Sequence, residues 1–149
     1  MEHVAFLVGD WTGEGWMDMR GQRASFRSSE RVESRIDGLA LLIEGTHTAD
    51  IPGRSEPLVV HHALAMLTFD QDSDRYRFNT QVHSGGTGVY SGYFEDGAFV
   101  WEMTQGPSQV RYVIRLDDDG QWVETGERSA DGQTWTQFFE MTLSRIERP

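Results

Sequence analysis

Glu30 is the side chain of this 149-residue chain whose surroundings most suggest chemistry. Between residues 23 and 36 the chain alternates between two sets. One is Phe26, Ser28, Glu30, Val32, Ser34 and Ile36; the other is Ser25, Arg27, Ser29, Arg31, Glu33 and Arg35. Successive side chains of a strand point to opposite faces, and the arginine-bearing set is plainly solvated, so Glu30 turns inward. A carboxyl group in an apolar wall must be paired, hydrogen-bonded or held protonated by a raised pKa. A structural pair with an inward arginine or with Tyr112 is the first expectation. A general base, or an acceptor for a bound molecule, is the alternative. Glu44, Glu124 and Glu140 lie on strands whose facing the pattern leaves open. Any of them beside Glu30 would make a carboxylate cluster.

The five histidines are His3, His47, His61, His62 and His83. A metal site needs several to converge. His61 and His62 are adjacent on a strand, so one points in, the other out, and they form no simple chelate. His47 shares a face with Leu41 and Ile43, either as hydrogen-bonded filler or as a polar contact for a ligand. No metal site is expected. There is no cysteine, which removes thiol nucleophiles, thiolate zinc sites and disulfides. Asp70-Gln71-Asp72-Ser73-Asp74 opens like a calcium loop, but the sixth position is Arg75 rather than glycine, so a hairpin turn is expected. Ser84-Gly85-Gly86-Thr87-Gly88 lacks the lysine and following helix of a phosphate cradle and reads as a turn with a bulge. No Gly-x-Ser-x-Gly elbow is present.

The elements that would position these groups are strands. Short alternating apolar runs are cut by Asp37-Gly38, Pro52-Gly53, Gly85-Gly86, Asp96-Gly97, Asp117 to Gly120 and Asp131-Gly132, pairs suited to tight hairpins. Ten strands are expected, over 9–19, 23–36, 39–49, 57–69, 75–84, 87–95, 98–104, 109–117, 121–129 and 134–146. Residues 2–8 read as a short helical turn closing one end. Ten antiparallel strands in one domain hide their edges most simply by closing, so the fold class is all-β, a single antiparallel closed barrel over 1–149. A barrel of about ten strands is too wide for its own side chains to fill, and a cavity follows. Phe78, Trp101, Tyr112 and Phe139 fall on its inner wall. The third and fourth strands are apolar on both faces, so their outer face is expected to be covered, a homodimer being one way.

The net charge of −11 argues against nucleic acid and against anionic membrane surfaces. No window has the length of a spanning helix, and the start of the chain carries no basic, apolar leader. A reducing cytoplasm is the expected location.

Phe6-Leu7-Val8-Gly9-Asp10-Trp11-Thr12-Gly13-Glu14-Gly15 resembles the opening of nitrobindin-like proteins, and Gly-x-Trp is the signature of the wider calycin group of lipocalins and fatty-acid-binding proteins. The resemblance implies a barrel floor made by Trp11 beneath Arg145, in Met141-Thr142-Leu143-Ser144-Arg145. The segments Trp122-Val123-Glu124-Thr125-Gly126-Glu127 and Phe138-Phe139-Glu140-Met141-Thr142-Leu143 are similar to a bacterial group of lipocalin-like proteins. Two ligands of those families do not carry over. Nitrobindin-like proteins hold haem through a histidine near the C-terminus, and no histidine follows His83; no cofactor is expected. Fatty-acid-binding proteins use an Arg-x-Tyr pair on the last strand, which has no tyrosine.

The expected function is binding of a small, mostly apolar molecule inside the barrel by Phe78, Trp101, Tyr112 and Phe139, with Glu30 and His47 giving polarity. The alternatives are a cyclase, isomerase or hydrolase using an inward Glu or His, and a structural homodimer without ligand.

Overall fold

Left-handed backbone at the turns sets the strand count. Asp96 and Gly97 both have positive φ (51° and 77°), as do Arg20 and Gly21 (54° and 81°). Two successive left-handed residues give a hairpin whose twist matches that of its strands. The computed structural model describes residues 1–147. It contains ten strands: β1 (Gly9–Met19), β2 (Gln22–Arg35), β3 (Ala40–Ala49), β4 (Leu58–Asp70), β5 (Arg75–Val82), β6 (Thr87–Glu95), β7 (Ala98–Gln105), β8 (Ser108–Leu116), β9 (Trp122–Ser129) and β10 (Thr136–Ile146). Each pairs antiparallel with the next, and β1 pairs with β10, so the sheet closes into a barrel without free edges. The all-β antiparallel barrel expected from the strand pattern is the structure observed. No helix among the described residues is long and apolar enough to cross a membrane.

One end is closed by the 3-10 helix Glu2–Leu7, with Val4 and Leu7 fully buried. Loss of helical partners leaves the carbonyls at such a C-terminus needing donors. Three consecutive carbonyls find them on the barrel floor. The Trp11 indole N–H donates to Leu7 at 2.8 Å. The Arg145 guanidinium donates to Phe6 at 2.9 Å and, by a short contact, to Val8. The same guanidinium lies 4.2 Å from the centre of the Trp11 ring, and Trp11 pairs with Arg145 in the β1–β10 register. Arg145→Met is expected to cost about 1–2 kcal/mol, the range for losing charge-assisted hydrogen bonds. Hydrogen exchange confined to the amides of residues 4–8 would register it; unchanged protection there would show the floor holds without Arg145.

Two local expectations need correction. Ile36 is not inward: it is 69% exposed in a left-handed turn that ends β2. The turn 36–38 must swing the chain from β2 into β3, which takes the residue off the pleat. Ser34, at the same rim, is exposed rather than enclosed. β5 also stops at Val82 instead of 84, because Val82 N–H turns back to Gly86. The acidic run at 70–74 is a turn in which Asp70 accepts from Asp72 N–H and Ser73 Oγ. The outer face of β4 leaves Leu64 and Met66 exposed, both at 44%, and that of β6 leaves Val89 exposed at 65%.

Candidate functional site

Alternation on every strand sends one set of side chains into the barrel, and they leave a cavity of about 710 Å³. That volume lies in the range that holds a drug-sized ligand. Trp11, Leu67 and Trp122 are buried towards the closed end. At the opposite end Met19, Leu58, Val59 and Val60 line the space and are also exposed, so the mouth is apolar-rimmed.

The six side chains expected from sequence to meet a ligand, Glu30, His47, Phe78, Trp101, Tyr112 and Phe139, line the cavity. The aromatic groups form two stacks. Trp101 and Tyr112, partners across β7 and β8, stack at 4.4 Å, with Phe78 at 4.9 Å from Trp101. On the other wall His47 stacks on Phe26 at 4.4 Å, and Phe26 on Phe139 at 5.7 Å. A bulge between Gln137 and Phe139 in β10 breaks the alternation, so that Phe138 and Phe139 are both buried.

Glu30 is enclosed and has room because β3 places Gly45 opposite it. A Cβ at residue 45 would stand 2.5 Å from both carboxyl oxygens, so only glycine leaves that carboxyl in place. Among the described residues, the inward arginine expected as its partner is absent from the lining, and the groups that meet it do not include Tyr112. Its neighbours are Ser28 Oγ at 3.4 Å and His47 Nε2 at 3.6 Å. Both are too far for a strong hydrogen bond. Burial pushes Glu30 up to about 7 and His47 down to about 4. Between those values both groups are neutral, so the 3.6 Å approach is not an ion pair there.

Glu124 is the buried carboxyl that the strand pattern did not place. It is 7% exposed and lines the same cavity. Burial pushes it up to about 8, with the Glu30 charge adding to the rise. The indole N–H of Trp122 donates to it at 3.2 Å, which favours the anion but offsets only part of the desolvation. Desolvation, then the Glu124 charge, also raises Tyr112. A signal for Glu124 existed: Trp122, Glu124 and Gly126 share one face of β9. Both faces of that strand carry polar groups, and the alternation alone could not choose between them.

The histidine pair divides as the alternation requires. His61 lies opposite His47 in the β3–β4 register and lines the cavity, with its ring 5.0 Å from that of His47. Burial lowers it to about 4. His62 points out and meets Glu44 at 2.9 Å. Glu140 lies outside the cavity lining, near Gln137. Among the described residues, no three His, Asp or Glu side chains converge to hold a metal ion. The cavity therefore offers two protonatable carboxyls and two neutral imidazoles, set among aromatic faces.

No family model matches the chain, and no curated protein matches it. Solved structures do. The crystal structure of Rv2717c from M. tuberculosis superposes with a TM-score of 0.68 at 14% identity, covering 98% of this chain and 96% of that one. The S-type phycobiliprotein lyase CPES from Guillardia theta superposes with a TM-score of 0.65 at 13% identity, covering 99% and 93%. At such identities the likeness speaks to fold alone, and by fold the chain is a closed ten-stranded antiparallel barrel of the calycin type.

Proposed function

We propose that this barrel binds a small, mostly apolar molecule in its interior. The observation that carries the reading is the cavity of about 710 Å³, walled by aromatic and aliphatic side chains and open at an apolar rim. Apolar walls with a few polar groups are the usual composition of a ligand site. One of the structural neighbours is named as a phycobiliprotein lyase, which fits a barrel of this shape housing a small molecule.

Screening lipophilic metabolites by thermal shift tests it. A ligand present at about a hundred times its Kd is expected to add about 2.7 kcal/mol to the native state. Ala65, buried on the wall, offers the control. Ala65→Phe fills the space and is expected to abolish the shift. An unchanged melting temperature across a broad library would overturn the reading.

A second reading is favoured by one observation: Glu30 and His47 stand side by side on the open wall. Such a pair could move a proton on a bound substrate, as a cyclase, isomerase or hydrolase requires. Mass spectrometry of the molecule released after incubation separates the two. A ligand recovered unchanged supports binding; an altered one supports the enzyme. The exposed outer stripe of Leu64, Met66 and Val89 also suits a second copy of the chain, and sedimentation as a strict monomer at high concentration would dismiss it.

A further inference from the structure

The cavity's polar groups are unbalanced, and that imbalance selects a class of ligand. Glu30 and Glu124 both line the space and are both more than nine-tenths buried. Among the described residues no arginine lines it beside them. Glu30 has no donor closer than 3.4 Å, so a buried acid faces the cavity without a full-strength partner. Buried acids are ordinarily matched by cations or donors. Glu124 has the indole N–H groups of Trp122 and Trp101 as donors and Glu30 only Ser28, but among the described residues neither acid has a cation beside it in the cavity.

We propose that the ligand is an apolar amine, bound as its ammonium ion between the cavity carboxyls and the aromatic wall. This rests on the binding reading above and narrows it. Three independent features support it. The first is the pair of acids without a counter-cation. The second is the stack of Trp101 and Tyr112, with Tyr90 at 5.6 Å from Trp101, which offers electron-rich ring faces of the kind that hold ammonium groups. The third is the net charge of −11, which concentrates cations and repels anions around the barrel. A carboxylate ligand would set a third acid beside two others, with only the neutral imidazoles of His47 and His61 to meet it.

The ionisable groups facing the acids define the proton balance. His47 and His61 remain neutral at pH 7, and Tyr112 keeps its proton. An ammonium ion entering at pH 7 therefore takes its counter-charge from a carboxyl, which gives its proton to solvent. At pH 7 Glu30, near 7, is about half ionised and Glu124, near 8, mostly protonated, so about half to one proton should be released for each amine bound.

Three probes sharing one alkyl chain, kept below micellar concentrations, test this on the full chain: dodecylamine, dodecanol and dodecanoate. Calorimetry at pH 7 in buffers of different ionisation enthalpy measures both affinity and proton release. Dodecylamine is expected to bind about tenfold or more tighter than the other two, with proton release. The Glu30→Gln/Glu124→Gln chain is expected to bind dodecylamine and dodecanol alike and to release no proton. Equal or tighter binding of dodecanol or dodecanoate, or amine binding to the native chain without proton release, overturns the amine proposal and leaves the binding reading intact. An amine preference that persists in the double variant overturns it as well. Failure of all three probes to bind overturns both. If the double variant does not fold, the affinities and proton release of the native chain still decide.

Discussion

Replacing Trp11 with alanine is expected to destabilise the protein by about 3–5 kcal/mol, the range for deleting a large buried aromatic. Trp11 is fully buried and meets Trp122 edge-on at 5.6 Å. Its indole N–H satisfies the Leu7 carbonyl, and its ring face carries the Arg145 guanidinium. Alanine would therefore leave a void at the closed end and an unmet carbonyl. It would also remove the surface that orients Arg145, whose two other bonds hold Phe6 and Val8. Trp11→Phe keeps most of the bulk but not the donor, and is expected to cost about 1–2 kcal/mol, near the penalty for one lost hydrogen bond. Urea unfolding of the two variants and the native chain measures both. If Trp11→Ala lowers stability by no more than Trp11→Phe, the packing of the floor does not depend on the ring.

Stability is expected to fall as pH rises from about 6.5 to 8, and the two buried acids are the cause. Their folded pKa values, about 7 for Glu30 and about 8 for Glu124, lie above the ordinary carboxyl value of 4.5. The folded state therefore holds protons that the unfolded chain has already lost, and stability declines with rising pH across that interval. His47 and His61 act in the opposite sense. Their folded values near 4 lie below 6.5, so they add stability as pH rises from 4 to 6.5. Between about 4.5 and 6.5 the two effects oppose one another. Above 6.5 the imidazoles are neutral in both states, and only the carboxyls remain. The exposed Asp70 and Asp131, held low by hydrogen bonds, titrate below this window.

At about 1.4 kcal/mol per pKa unit, the part of the two shifts lying above pH 6.5 amounts to about 2–3 kcal/mol. That corresponds to roughly 5–10 °C in Tm for a chain of this size. In the Glu30→Gln/Glu124→Gln protein the decline should vanish, and at pH 8 the variant should be more stable than the native chain. Calorimetric melting at half-unit pH intervals would show it. A native Tm flat from pH 6.5 to 8 would mean that the carboxyls reach solvent through the mouth.

Much of this was legible from residue order. The alternation of β2 turned Glu30 inward because its opposite face carries three arginines, which water must solvate. The Asp-Gly and Gly-Gly pairs marked the hairpins because they accept positive φ, and ten strands needing paired edges implied closure. On β5, β7 and β8 the same contrast between apolar and charged faces put Phe78, Trp101 and Tyr112 on the wall. Where both faces of a strand carry the same character, the pattern was silent. β9 is such a strand, so Glu124 stayed unassigned. Ile36 continued the inward set on paper, but a left-handed turn took it out to solvent.

Residue order by itself determined the all-β class, the strand count and the inward direction of Glu30, because those depend on a period of two and on local turn chemistry. Only the tertiary structure decided which inward groups meet. Register across the strands brings Gly45 under Glu30 and His61 opposite His47, and closure of β1 on β10 brings Arg145 onto Trp11. The shared enclosure of Glu30 and Glu124 comes from strands far apart in the chain, where a two-residue period carries no information. Their raised pKa values follow from that enclosure, since desolvation depends on everything that surrounds a group and not on its neighbours in sequence.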